Sequence, residues 1–259
     1  MHFLRQIICL CVLQIFAPLL SGQSAAASGQ VSDSSVAHQL FEMANQSRVE
    51  AGVKPLDWDK SLADAALKHC IRISSEIPML HRYDGEPDLT SRVATAGAHF
   101  SMVAENLAIG RSAGVIHKGW LDSPGHRENL LNPSADRVGI AVIAYQGLFF
   151  AVADYAHTVP VLKPAEVEGI FAALLRSKHI MVSSETTDAR LYCASSGNYH
   201  GSYPARLAIR WQNSDVTQLP TELGEAMANG SYHKASVGSC PAQNVNGDFT
   251  SYRVAVLLY

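Results

Sequence analysis

The segment from residue 137 to residue 155 constrains the fold of this chain more than any other. Arg137 to Ala144 is almost entirely apolar, which is the pattern of a strand buried on both faces. Gln146-Gly147 predicts a hairpin turn, and Leu148 to Tyr155 returns as a second strand. A sheet that is apolar on both faces needs helices on each side. The sequence therefore predicts a three-layer α-β-α sandwich in the α+β class.

Helical patterns before this hairpin supply the covering layers. Ser123 stands where the last of these helices begins, and Pro124 occupies its first position, so we expect the Ser123 hydroxyl to cap that helix. A turn is expected at 55–58 and a short strand at 100–106. The predicted helices cover residues 35–51, 61–73, 88–96, 112–121 and 124–131.

A boundary is predicted at 158–164, where two prolines interrupt the pattern. We expect residues 165–259 to form a smaller α+β domain, whose role no motif indicates, and we recognise no internal repeat. Helices are predicted there over 165–176 and 221–228, and strands over 179–183, 190–194, 207–211 and 252–259.

The first 27 residues have the pattern of a secretory signal peptide. Arg5 precedes an apolar run from Ile7 to Leu20, which is shorter than the roughly 20 residues of a membrane-spanning helix. Ala25-Ala26-Ala27 supplies a cleavage pattern. We expect cleavage near Ala27, a secreted or periplasmic protein without a membrane span, and a short mature N-terminal segment over 28–35.

Three cysteines remain after this cleavage. Cys70 lies in an apolar helical pattern and is expected to be a buried free thiol. Cys193 and Cys240 both lie in the C-terminal third, and we expect them to form a disulfide, as suits an exported protein.

Charge and missing motifs exclude several classes of protein. The chain has 20 basic and 23 acidic residues, so a basic field that captures nucleic acid is not expected. It has neither a P-loop nor a G-x-G-x-x-G segment, and no C-x-x-C pair. ATPases, dinucleotide enzymes and zinc ribbons therefore lose their usual support.

An ordered set of short motifs runs through residues 36–157. The motifs are Phe41-x-x-x-Asn45-x-x-Arg48, Gly52, Pro55-Leu56-x-Trp58, Leu62-x-x-Ala65, Ala104-Glu105-Asn106, Trp120-x-x-Ser123-Pro124-Gly125-His126-Arg127 and Val138-Gly139-Ile140. This set resembles the CAP superfamily, or SCP domain, of cysteine-rich secretory proteins, antigen 5 and plant pathogenesis-related proteins. The compact Ser123-Pro124-Gly125-His126-Arg127 form is similar to the bacterial branch of that superfamily.

This resemblance implies a surface cavity lined by two histidines and two acidic residues. By position, His81 and His126 match the histidines and Glu105 matches one glutamate. Ser123 stands where many eukaryotic members have the second glutamate, which leaves one carboxylate unaccounted for. Glu86 or Asp84, near His81 in sequence, are the candidates to replace it.

Two neutral histidines beside a carboxylate suit zinc or a similar divalent ion, with His81 and His126 as ligands and Glu105 nearby. The position of His126 at a helix start favours its neutral form. The resemblance also implies that the ligand is a small apolar molecule, a lipid or a glycan. We expect a binding protein without turnover, because the sequence adds no catalytic motif. A metal-dependent hydrolase of peptide or cell-envelope substrates that uses these same groups, and an extracellular adhesion module, stay open as alternatives.

Overall fold

Two sheets organise the part of the chain that the computed structural model describes, which is residues 29–228, 230–242 and 248–259. The expected signal peptide lies outside these residues. The first sheet contains β1 (Val31–Ser32), β2 (Asp57–Trp58), β3 (Phe100–Gly110), β4 (Arg137–Tyr145) and β5 (Leu148–Thr158), and the second contains β6 (Met181–Val182), β7 (Leu207–Asn213), β8 (Lys234–Cys240) and β9 (Tyr252–Leu258).

The helices lie before and between these strands along the chain. They are α1 (Ser34–Glu50), α2 (Lys60–Ile73), α3 (Leu89–Thr95), α4 (Ala113–Asp122), α5 (Pro124–Leu130), α6 (Pro164–Ser177), α7 (Thr187–Ala194) and α8 (Thr221–Ala228).

The first sheet forms the middle layer of the predicted sandwich. Its strands run in the order β1-β4-β5-β3, with β2 also paired to β4, and all pairs are antiparallel except β2 with β4. One face packs against α1 and α4 around Leu40 and Trp120, while the other packs against α2 around Ala66 and Ile73. The three-layer α+β fold expected from the sequence is confirmed.

Short polar side chains set where four of the five helices of the first unit begin. Each accepts a hydrogen bond from a backbone N–H of the first helical turn, which satisfies a donor that has no partner inside the helix. These N-caps are Asp33 for α1, Asp59 for α2, Asp88 for α3 and Ser112 for α4.

Helix α5 departs from this pattern. Ser123 occupies its N-cap position and Pro124 its first turn, as predicted, but the Ser123 side chain makes no capping hydrogen bond. The expectation for the Ser123 hydroxyl is therefore wrong. Because Ser123 also ends α4 and has extended backbone angles, the two helices meet at this residue with no loop between them.

Helix α2 approaches the first sheet most closely at Gly139 on β4. A Cβ atom at that position would lie 1.9 Å from the Ala63 nitrogen and 2.3 Å from the Leu62 carbonyl carbon. Both neighbours are backbone atoms, so they cannot turn aside as a flexible side chain would. The sheet and helix can meet at this distance only with glycine at position 139.

The second sheet repeats the topology of the first, which corrects the expectation of no internal repeat. In each unit a helix, a two-residue strand, a second helix, a longer strand, a further helix and a hairpin follow in the same order. The first unit also contains β1 before these elements, α3 after α2 and α5 after α4. The strand order β6-β8-β9-β7 matches β2-β4-β5-β3, and the two-residue strand pairs in parallel in both units. Gly238 repeats the close approach, because its Cβ would lie 2.2 Å from the Arg190 nitrogen of α7.

Three local predictions from the sequence are wrong. The segment 190–194, expected as a strand, belongs to helix α7, whose buried residues Ala189 and Cys193 are one helical turn apart. Strand β8 was missed because its sequence, KASVGSC, is rich in small and polar residues although nearly all of it is buried. The turn expected at 55–58 contains the short strand β2, which pairs with β4.

The cysteines behave as the sequence predicts. Cys193 on α7 and Cys240 on β8 form a disulfide, and Cys70 is a buried free thiol. Burial raises the pKa of the Cys70 thiol to about 12, so this group stays protonated and unreactive at neutral pH.

The two units touch where β9 begins. The backbone N–H of Thr250 donates to the Phe100 carbonyl at 2.8 Å, and the Phe249 ring meets the Phe100 ring edge to face. The Ser91 hydroxyl on α3 donates to Oδ2 of Asp248 at 2.6 Å. These contacts join the second unit to the elements that hold the candidate site, α3 and β3.

Among the described residues, no helix has both the length and the apolar composition needed to cross a bilayer.

The close approach at Gly139 leads to a stability prediction. Gly139→Ala places a methyl group against the backbone of α2, so we expect the free energy of unfolding to fall by about 3 kcal/mol. Gly119→Ala is the matched control, because Gly119 lies in α4 with open space around its Cβ position and should gain up to about 1 kcal/mol. Denaturant unfolding monitored by circular dichroism measures both. Equal stability of the two variants would contradict the assigned contact.

The disulfide leads to a second prediction. Cys193 and Cys240 are 47 residues apart, so their bond restricts a long loop of the unfolded chain. Replacing both with alanine should lower the stability of the second unit by about 4 kcal/mol. Unfolding of the oxidised protein, the reduced protein and the double variant tests this, and indifference to both treatments would refute it.

Candidate functional site

A buried carboxylate, Glu105, is the centre of the candidate site. It lies on β3 with its side chain 3% exposed, and its Oε1 is 2.8 Å from Nδ1 of His81. Its Oε2 accepts a hydrogen bond from Nη2 of Arg92 at 2.5 Å. Both oxygens therefore have partners, and the structure brings together His81 and Glu105 as the sequence predicts.

Arg92 on α3 fixes both the carboxylate and the loop that carries His81. Besides its bond to Glu105, its Nη1 donates to the His81 carbonyl at 3.1 Å. The Asp88 cap sets where α3 begins and hence where Arg92 lies. One cation thus orients His81 through its backbone, while Glu105 orients the ring.

His81 presents its remaining ring nitrogen to the exterior. Its side chain is 60% exposed, although Nδ1 is bound to the buried Glu105. A neutral His81 that donates from Nδ1 has an unprotonated Nε2. This is the tautomer in which Nε2 can bind a metal ion or accept a hydrogen bond.

His126 is positioned from the neighbouring helix α5. The Asn106 side chain on β3 donates to the His126 carbonyl at 2.9 Å and accepts from Nδ2 of Asn129 at 3.0 Å. Asn129 also donates to the Glu105 carbonyl at 3.3 Å. Two amide side chains therefore tie α5 to the strand that carries Glu105.

The two histidines lie close enough for their charges to interact. Partial burial, and then the charge of His81, lower the pKa of His126 below its ordinary value. His126 is accordingly neutral at pH 7, the form that the sequence predicts, although through burial and its neighbour instead of the helix start.

The other predicted site residues are Ser123, Asp84 and Glu86. Ser123 is half-buried at the junction of α4 and α5, and Asp84 is exposed on the loop before α3. Glu86 is buried and accepts hydrogen bonds from Nδ1 of His69 at 2.8 Å and from the Tyr83 N–H at 3.0 Å. Burial alone would raise the pKa of Glu86, but these bonds outweigh it and the pKa is lowered. Glu86 therefore stabilises the loop that carries His81 from its buried side.

His69 is the second buried residue that supports this loop. It is fully buried on α2, and its Nε2 lies 3.0 Å from the Leu80 carbonyl and 4.0 Å from Oε2 of Glu105. Both of its ring nitrogens face acceptors, so the ring braces the segment next to His81.

Sequence reasoning missed Arg92 and the structural role of His69. The sequence offered one signal for His69, which is a histidine on the apolar stripe of α2 and must find polar partners once buried. Arg92 has no such signal, because its partners Glu105 and His81 become neighbours only in the folded chain.

Binding of a metal ion depends on how many ligating side chains can reach it. Within residues 29–228, 230–242 and 248–259, no three or more His, Cys, Asp or Glu side chains are arranged to hold an ion. The ligand pair expected from the sequence, His81 and His126, stays a prediction at this point, and Glu105 is bound to Nδ1 of His81.

The second unit has a different arrangement at the matching place. In the first unit Glu105 pairs across the strands with Asp154, which pairs with Gly139; in the second, Arg210 pairs with Ala255, which pairs with Gly238. Arg210 donates to the Ser195 carbonyl at 2.5 Å and the Tyr192 carbonyl at 3.0 Å, at the end of α7. An arginine that binds backbone carbonyls replaces the carboxylate that orients a histidine.

Comparison with known proteins identifies the family that the first unit resembles. The model of the cysteine-rich secretory protein family, CAP, matches residues 41–155. The membrane protein YlbC of Bacillus subtilis (strain 168) is 30% identical over 105 residues, which are 40% of this chain and 30% of that protein. YkwD from the same bacterium is 26% identical over 106 residues, or 40% of this chain and 41% of YkwD. This chain thus aligns with less than half the length of either relative.

Solved structures of bacterial proteins are similar over about half of this chain. An outer surface protein from Borrelia burgdorferi is 20% identical, with a TM-score of 0.47, over 51% of this chain and 98% of its own. An extracellular protein from Bacillus anthracis that contains an SCP domain is 30% identical, with a TM-score of 0.42, over 47% of this chain and 40% of its own. The family model matches from Phe41 to Tyr155, so this part of the chain is a CAP domain, and the curated relatives that it resembles are bacterial proteins.

Proposed function

We propose that the CAP domain is a binding module in which His81 and His126 hold a divalent metal ion such as zinc. The observation that supports this most directly is the hydrogen bond from Nδ1 of His81 to the buried Glu105, which leaves Nε2 at the surface beside a neutral His126. Metal-binding histidines commonly have their other nitrogen bound to a carboxylate in this way.

The residues fit such an ion as a pair of ligands. Zinc is ordinarily bound by four groups, so two imidazoles leave positions for water or for a ligand atom. When bound, the ion supplies a Lewis-acidic centre for an anionic or carbonyl oxygen. Glu105 and Arg92 orient His81 from behind and keep its ring from turning.

Binding without turnover is favoured over hydrolysis by the state of Glu105. A metal hydrolase needs a group that takes a proton from the attacking water. Both Glu105 oxygens already have donors, at 2.8 Å from His81 and 2.5 Å from Arg92. The only carboxylate that the resemblance assigns to the site is therefore committed to holding the imidazole.

The disulfide supports a location outside the reducing cytoplasm. Bonds such as Cys193–Cys240 form and persist in oxidising compartments. Together with the signal pattern of residues 1–27, this favours a secreted or periplasmic protein.

Zinc titration by calorimetry tests the metal proposal. We expect the purified protein to bind one zinc ion, and His81→Ala and His126→Ala each to weaken binding at least about tenfold, or 1.4 kcal/mol. His200→Ala, in an exposed segment of the second unit, is the matched control and should bind as the parent does. Binding that persists in both site variants would refute the proposal, as would absence of binding by the parent.

The pairing of the two histidines is testable without metal. NMR titration of His126 should give a pKa below the ordinary value of 6.5 in the parent. In His81→Ala the charge of His81 is gone, so the pKa of His126 should rise towards 6.5 while staying below it, because burial remains. An unchanged value in this variant would show that the two rings do not face each other.

A further inference from the structure

A second carboxyl group, Asp154, lies behind Glu105. Asp154 is on β5, directly opposite Glu105 in the β3–β5 pair, and it is fully buried. Directly opposite residues of an antiparallel pair project from the same face of the sheet, so its carboxyl group lies beside that of Glu105. Among the described residues, no N–H or hydroxyl group donates to either of its oxygens.

The packing of α2 explains why Asp154 is so deeply buried. On its other side Asp154 pairs with Gly139, where α2 lies almost in backbone contact with the sheet. Asp154 and Glu105 thus occupy one row of the sheet under this helix. The buried state is a consequence of the fold and does not depend on a side-chain rotation.

Charge balance decides the protonation of this pair. The nearby cation, Arg92, is bound to Glu105 through Nη2 and to the His81 carbonyl through Nη1. Two ionised carboxylates in contact would leave one negative charge without a partner in a buried position, which is strongly unfavourable. Burial, and then the charge of Glu105, raise the pKa of Asp154 well above its ordinary value.

We propose that Asp154 is a positioning residue of the histidine site, which stays protonated and donates its Oδ–H to Glu105. Glu105 then has three donors, which are His81, Arg92 and Asp154, and its carboxylate is fixed in one orientation. The proton remains on Asp154 throughout. This inference concerns the site of the proposed function but does not require that a metal binds there.

The second unit provides an internal comparison. At the positions of Glu105 and Asp154 it has Arg210 and Ala255, in the same strand register and beside the same close approach at Gly238. The fold therefore forms with alanine at this position. Asp154 is present in the unit where it can orient a carboxylate, that of Glu105. In the other unit Arg210 stands opposite, and the acid is replaced by Ala255.

The groups around Asp154 are few, so its titration can be isolated. The charged and titratable groups that act on it or respond to it are Glu105 on β3, Arg92 on α3, Cys70 on α2 and Tyr155 on β5, with His69 on α2 behind Glu105.

Infrared spectroscopy tests the protonation directly. At pH 7 the parent should show the C=O stretch of a buried protonated carboxyl group, and Asp154→Asn should lack it. Asp84→Asn, at an exposed position of the loop before α3, is the matched control and should keep the band. Absence of the band from the parent, or its survival in Asp154→Asn, would overturn the proposal whether or not zinc binds.

The pH dependence of stability gives an independent test. Between the unfolded pKa, near 4, and the raised folded value, the folded parent holds a proton that the unfolded chain has lost. Its unfolding equilibrium constant should therefore rise up to tenfold per pH unit relative to that of Asp154→Asn. Below about pH 4 the ratio should be constant. A ratio that stays flat across this whole range would contradict the proposal.

The positioning role is tested by comparing two substitutions. Asp154→Asn retains a neutral donor to Glu105, so zinc affinity and the Nδ1–H tautomer of His81, read from ¹⁵N shifts, should match the parent. Asp154→Ala removes the donor, and we expect a tenfold or greater loss of zinc affinity and a mixed tautomer. Equal behaviour of the two variants would refute the role of Asp154. If the parent binds no zinc, the metal proposal fails, and the tautomer still decides this one.

Discussion

The ion pair between Arg92 and Glu105 is the interaction on which the rest of the site depends. It joins α3 to β3 in the interior, with both side chains about 5% exposed or less, and it also holds the loop of His81 through a backbone carbonyl. Removing one partner from such a pair leaves a buried charge and typically costs about 3–5 kcal/mol. The buried pair therefore sets the geometry of a histidine that is itself mostly exposed.

The sequence predicts the layers of the first unit well because its signals there are local. Capping residues mark where helices begin, and the continuous apolar character of β4 shows that both faces of the sheet are covered. Segment 190–194 misleads for the same reason, because its composition suits a strand while its packing against β8 and β9 requires a helix. Strand β8 lacks an apolar run and is recognisable only from its partners.

The candidate site divides in a similar way. Motifs identify Glu105 and His126, and the position of His81 in the family resemblance identifies the second histidine. Arg92, His69 and Asp154 lie in different elements, and only the fold brings them to Glu105. The internal repeat is hidden for a related reason. Glu105 corresponds to Arg210 and Asp154 to Ala255, and among these cross-strand positions only the glycines, Gly139 and Gly238, are the same residue in both units.

The contact between the two units has a mechanical consequence. Neighbouring residues of α3 face in two directions: Arg92 holds the carboxylate of the site, and Ser91 binds Asp248 in the segment that leads into β9. The start of β3 is tied to the same segment through Phe100 and Thr250. The second unit thus contacts both α3 and β3, the elements that carry Arg92 and Glu105. A displacement of either unit acts on these two elements, and their relative position sets the distance between Arg92 and Glu105.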